Sequence, residues 1–144
     1  MSGEYASRLS ACYEQIRQVK ERIDLVDEPC RTLLLVDNAV GLIGNGGFQY
    51  FFENDFPYNP DYALFVEAFR RFGLDDIANG FAKLVAMFPF ASPHLYVDQR
   101  NAFLDSEPHD FNSACERLER LVYAVSDRYE ALQDDYLRRI ESAS

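Results

Sequence analysis

The apolar residues Tyr5, Leu9, Cys12, Ile16, Val19, Ile23 and Val26 step along the chain by 4, 3, 4, 3, 4 and 3 positions, a repeat that an α-helix gathers onto one side. Between them stand mostly Glu, Gln, Lys and Arg, so the segment is predicted to be an amphipathic first helix. Elsewhere no run of five or more residues alternates apolar and polar with β-branched enrichment, and no strand is predicted. The expected fold class is all-α: a single compact multi-helix domain over 1–144, bundle-like, with long first and last helices. With 144 residues, 48% of them hydrophobic, the chain can bury one core and falls outside the highly charged class that stays disordered. Twelve Phe and nine Tyr, with no Trp, predict a core of ring-on-ring contacts with Tyr hydroxyls near its rim.

Helix punctuation divides the rest. Glu28-Pro29 ends the first helix and can open a second, since Pro suits a first turn. Leu33, Val36, Val40 and Ile43 carry that second helix to Gly44, Gly46 and Gly47, which stop it. A short aromatic helix is predicted from Phe48 to about Glu53, then a loop marked by Asn54, Pro57, Asn59 and Pro60. Helices follow over Asp61–Phe72, with Gly73 as C-cap, and over Asp75–Phe88, ended by Pro89. Ser92-Pro93 reads as N-cap and first position of a helix to about Leu104. Phe111, Ala114, Leu118, Leu121, Val125, Tyr129, Leu132, Tyr136 and Ile140 form one stripe, which predicts a single long closing helix.

No apolar run approaches the roughly 18 residues of a membrane span, and the N-terminus lacks the basic-then-apolar layout of a signal peptide, so no membrane association and a cytoplasmic location are expected. Cys12, Cys30 and Cys115 are odd in number, far apart and in helix-like surroundings, which predicts reduced cysteines. Neither CxxC nor HxxxH spacing occurs, so no metal and no cofactor are expected.

Catalytic candidates are thin, and none is assigned. His94 stands one turn before Asp98 on a predicted helix, a pair that reads best as an ordinary surface contact. His109 precedes Asp110, which is expected to cap the last helix. Gly44-Asn45-Gly46-Gly47 ahead of an aromatic helix offers backbone amides of the kind that bind anions. It matches neither a Walker loop nor GxGxxG. The simpler reading is that Gly46 or Gly47 takes positive φ while Asn45 caps the next helix.

Charge is more informative. The formal net charge is −10, which disfavours direct nucleic-acid binding and favours a basic partner. From Thr32 to Phe69 the chain carries Asp37, Glu53, Asp55, Asp61 and Glu67 with no Lys or Arg, and from Asn101 to Glu116 it carries Asp105, Glu107, Asp110 and Glu116, again without a base. These two stretches hold nearly all of the excess, in a region of loops and short helices, where partner contacts concentrate.

Around Gly44-Asn45-Gly46-Gly47-Phe48-Gln49-Tyr50-Phe51-Phe52-Glu53-Asn54 the chain resembles a bacterial DNA-mimic protein family, a domain of unknown function with an NGGF/QYF signature. The likeness continues through FRRFGLDDIANGFAKLVAMFP, Phe69 to Pro89, and the helix from Phe111, so it covers most of the chain from about residue 30. It implies an all-helical, cytoplasmic, non-enzymatic protein whose namesake activity is to occupy the DNA-binding surface of a regulatory protein. Asn45, Gly46, Gly47, Phe48, Gln49, Tyr50, Phe51 and Asn54 are then the structural motif. The imitation falls to the acids Asp37, Glu53, Asp55, Asp61, Glu67, Asp105, Glu107 and Asp110.

Duplex DNA carries one charge per about 1.7 Å of axis, so ten net charges match about 17 Å, half a turn. A dimeric regulator reads half-sites about 34 Å apart. Mimicry of a whole operator is therefore expected to go with a homodimer. An immunity or inhibitor protein that neutralises a basic toxin such as a nuclease would use the same acids. A small-anion binder or enzyme would use the Gly44-Gly47 loop with His94.

Overall fold

The computed structural model describes residues 2–143 and the side chains of residues 7–142; the Tyr5 side chain of the first seam lies outside them. Seven α-helices run in order: α1 (Ser2–Gln18), α2 (Cys30–Glu53), α3 (Tyr62–Arg71), α4 (Asp75–Ala86), α5 (Val97–Asp105), α6 (His109–Ser126) and α7 (Tyr129–Ala143). Short 3-10 turns at Ile23–Leu25 and Pro93–Leu95 precede α2 and α5, and no strand occurs among the described residues. One continuous core joins them, with α2 at its centre against α1, α3, α5 and α6.

The first helix is shorter than its seam. Lys20 and Glu21 take left-handed backbone (φ 55° and 68°), and the Glu21 amide donates to the Ile16 carbonyl across the reversal. Ile23 and Val26 still reach the core, at the end of the turn instead of on the helix. That reversal lays α1 along α2 and overturns the expectation of three reduced cysteines. Cys12 and Cys30, 18 positions apart, meet with a Cα–Cα distance of 5.1 Å and form a buried disulfide, while Cys115 is free and buried. Sequence distance did not measure spatial distance once the chain doubled back. The α2 N-terminus is capped from outside the helix by Glu28, which accepts the Thr32 amide at 2.9 Å.

Gly73 ends α3 as expected. At φ 88° it donates to the Arg70 carbonyl, and Leu74 donates to Phe69, the paired bonds of a Schellman motif. Asp61 caps the start of α3 by accepting the Ala63 amide at 2.9 Å. Ser92 caps nothing. It is left-handed (φ 53°), Pro93 opens only a 3-10 turn, and α5 starts afresh at Val97, so His94 and Asp98 do not share a helix. The predicted closing helix is two, broken at Asp127–Arg128. On α6 Phe111, Cys115, Leu118, Val122 and Val125 face inward towards α2 and α4, while α7 buries Tyr136 and Leu137 and turns against α1. Leu121, in the predicted stripe, is exposed.

Rings fill the centre. Phe81 of α4 packs within 6.2 Å of Phe48, Phe51, Phe52, Tyr62, Phe65 and Phe69, and Phe52, Phe88, Phe103 and Phe111 extend the cluster towards α5 and α6. Tyr62 is inside it instead of at the rim, and burial pushes its hydroxyl up to about 12.

Candidate functional site

Helix α2 is broken inside the glycine segment. Gly46 (φ −158°) and Gly47 (φ 71°) depart from helical backbone, and the chain resumes as a short aromatic helix from Phe48. The orphan Phe48 amide is not capped by Asn45. Glu119, on α6, accepts it at 2.8 Å. A Cβ on Gly47 would lie 2.5 Å from Glu119 Oε2, so this position needs glycine both for its left-handed backbone and for the closeness of the carboxylate. A helix N-terminus attracts an anion, and here the protein supplies its own. Of the amides this segment could offer a small anion, that of Phe48 is already bound by the protein's own carboxylate.

Beside this junction lies a cleft of about 340 Å³ lined by Gly46, Gly47 and Gln49 from the first base-free stretch, by Leu104, Phe111, Asn112, Cys115 and Glu116 from the second, and by Glu119 and Tyr123. The two stretches therefore meet, and no Lys or Arg lines their meeting place. Burial first, then Glu119 and Glu116, pushes the Cys115 thiol up to about 12. Burial and Glu119 raise Tyr123 as well.

The motif residues divide between packing and capping. Phe48 and Phe51 are buried, Gln49 and Tyr50 exposed. A Cβ on Gly46 would fall 2.6 Å from Tyr50 Cβ. Asn54 is the C-cap of α2, its amide donating to Tyr50 and Phe51 carbonyls.

The acids sort by what they touch. Asp37 is half-buried and accepts the Tyr13 hydroxyl at 2.7 Å and the Tyr129 hydroxyl at 3.1 Å, joining α1, α2 and α7. Glu67 pairs with Arg71 at 3.0 Å. Asp61 is spent partly on its cap, and Asp55 reaches Arg100 at 3.4 Å. Glu53, Asp105, Glu107 and Asp110 are exposed and enter no ion pair among the described residues. They sit at helix ends that meet. Phe52, next to Glu53, packs 5.9 Å from Phe111, next to Asp110, and Phe111 packs 5.1 Å from Phe103, two before Asp105. Glu107 stands in the turn between α5 and α6.

Behind this corner is a residue that the sequence did not single out. Arg100 is 1% exposed, and all five guanidinium N–H donors find acceptors: Nε to Phe52 O at 2.8 Å, Nη1 to Pro93 O and His94 O, Nη2 to Asn54 O and Asp55 Oδ1. It places a cation at the C-terminus of α2 and ties that end to the turn before α5. One signal was present: Arg100 is the only Lys or Arg between Lys83 and Arg117. Glu119 had none, being one acid in a mixed-sign helix. The expected Asp110 cap is not made, since Pro108 precedes α6 without a side-chain cap. His94 sits edge-on to Tyr62 at 6.0 Å.

Among the described residues no group of three His, Cys, Asp or Glu side chains is placed to hold a metal ion, and no helix is long and apolar enough to cross a membrane. Fold and site together define an all-α acidic protein whose unpaired acids collect at joined helix ends beside a base-free cleft. The chain belongs to the DMP19-like protein family, whose family model matches residues 24–140, and this is a family of DNA mimics. No curated protein and no solved structure gives a match.

Proposed function

We propose that the chain is a non-enzymatic binding module that imitates DNA, presenting Glu53, Asp105, Glu107 and Asp110, with Glu116 along the cleft, to the basic DNA-binding surface of a regulatory protein. The observation that carries this reading is where the acids stand. Glu53 and Asp105 occupy the last turns of α2 and α5, the ends at which a negative charge opposes the helix dipole at a cost of about 0.3–1 kcal/mol each. Helix stability does not account for them there, and a partner's cations do. Asp55 and Asp61 extend the acidic surface along the adjoining loop. Asp37 and Glu67 serve the fold.

A single chain supplies charge for about half a turn of duplex, so a two-fold pair of chains is the form that spans an operator-sized surface. The site of action is the compartment of the regulator, the cytoplasm. The test is parallel affinity capture from native cell extract with the wild type and a Glu53→Lys, Asp105→Lys, Glu107→Lys, Asp110→Lys form, followed by kinetics on the partner found. A DNA-binding protein lost from the reversed form, with association slowing as salt rises to physiological strength, supports the reading. Binding that survives the reversal, or that ignores salt, ends it.

A further inference from the structure

A second concave site lies where three loop segments converge. It encloses about 340 Å³ between Arg22, Ile23 and Asp24, the run from Pro57 to Asp61, Leu64 and His94. Tyr58 and Asn59 line it, and two features mark the segments around it. Of the seven large apolar side chains exposed among the described residues, four stand on these segments: Leu25, Tyr58, Leu95 and Tyr96. Of the six non-glycine residues with left-handed backbone, five do: Lys20, Glu21, Tyr58, Asn59 and Ser92. Exposed apolar clusters mark interaction sites, and backbone held in sparsely populated regions gathers at ligand-binding positions.

The chemistry of the walls selects the ligand. Arg22 is already matched: it is bidentate to Asp24, at 3.0 and 2.7 Å, and its guanidinium carbon lies 5.0 Å over the Tyr58 ring. The chain thus displays in itself a guanidinium held by a carboxylate and an aromatic face. Tyr58 stays 60% exposed with Arg22 in place. Asp61 uses Oδ1 on its cap, and its other oxygen takes no hydrogen bond from the described protein. Ile23, Pro57, Pro60 and Leu64 offer apolar wall for a side-chain stem.

We propose that this pocket takes the guanidinium group of an arginine carried by a basic protein partner, stacked on Tyr58 and bonded to Asp61. The partner rests on the function proposed above; the arginine site does not. Planar guanidinium stacks on rings and forks onto carboxylates where an ammonium does neither as well, so the pocket distinguishes arginine from lysine.

The experiment titrates Nα-acetyl-arginine amide, and separately Nα-acetyl-lysine amide, into the isotopically labelled full chain and follows backbone amide shifts. Saturable shifts confined to Tyr58, Asp61, His94 and their neighbours are expected for arginine, with lysine about tenfold weaker. Asp61→Asn keeps the cap, since Asn accepts the same bond, and should weaken arginine about tenfold, as should Tyr58→Ala. Absence of saturable shifts there, equal response to lysine, or indifference to both variants overturns the proposal. If Tyr58→Ala fails to fold, Asp61→Asn decides. The four-residue reversal at the helix ends should leave this titration unchanged while abolishing partner capture. Loss of capture with an intact arginine titration supports both readings, and capture that persists sinks only the first.

Discussion

Charges at the heart of this molecule and charges at its α5–α6 corner are treated in opposite ways. Arg100 is buried, Glu119 and Asp37 are half-buried, and their bonds fasten elements far apart in sequence: Arg100 the end of α2 to the turn before α5, Glu119 the Phe48 amide to α6, Asp37 the tyrosines of α1 and α7. Glu53, Asp105, Glu107 and Asp110 carry the same kinds of group and hold nothing together. The inner set is anchored by Arg100, whose five buried donors all find acceptors, without which its burial would be costly. The outer set is available to another molecule because it finds none.

The comparison breaks most plainly at Arg100. Arg100→Met should lose about 3–5 kcal/mol, since it strips four backbone carbonyls of their donors, and chemical denaturation would read this as a lower midpoint. A loss below about 1 kcal/mol would mean that water replaces the guanidinium and that the inner set is not structural. Gly47→Ala comes next. Left-handed backbone and a Cβ against Glu119 should cost about 1–3 kcal/mol, and Glu119→Ala in the same chain should recover the contact part while leaving the backbone part. Glu119→Ala alone should cost about 1 kcal/mol, the value of a helix cap, by thermal or denaturant unfolding.

At the corner the expectation reverses. Lys in place of Glu53, Asp105, Glu107 and Asp110 should leave the unfolding free energy within about 1 kcal/mol of the wild type, because the gain at the C-terminal ends of α2 and α5 is offset by the loss of Asp110 from the first turn of α6. A marked fall would show that these residues, too, belong to the fold. The smallest effect sharpens the boundary between the sets. Cys115, pushed up to about 12, remains a neutral thiol at pH 8, and iodoacetamide should label it far more slowly in the native chain than in the unfolded one. Glu116→Gln removes one negative neighbour, so the thiol's pKa falls and labelling quickens. The gain should be modest, because burial, not charge, is the larger cause.

Much of this architecture was written in local patterns. The 3.5-residue spacing of α1, Gly73 after α3, Asp61 before it and the aromatic run from Phe48 are short-range features, decided by which side of a helix faces a core and by which backbone angles a residue tolerates. The two base-free stretches were equally legible, because charge can be counted along a chain. What the chain could not announce is every pairing across distance. Leu121 and Cys115 both fit a helical stripe, and only the packing of α6 on α2 and α4 decided that the cysteine goes in and the leucine stays out.

The sequence by itself determined that this protein is helical, acidic and aromatic-cored, since those properties follow from composition and from periods of a few residues. Tertiary structure alone decided that Cys12 reaches Cys30, that Glu119 and not Asn45 caps the aromatic helix, that Arg100 disappears inside, and that the two base-free stretches meet along one cleft. Each of these is a contact between residues separated by at least 18 positions, or the consequence of such contacts. Such contacts exist only once the chain has doubled back, and no local spacing encodes which partner will be waiting.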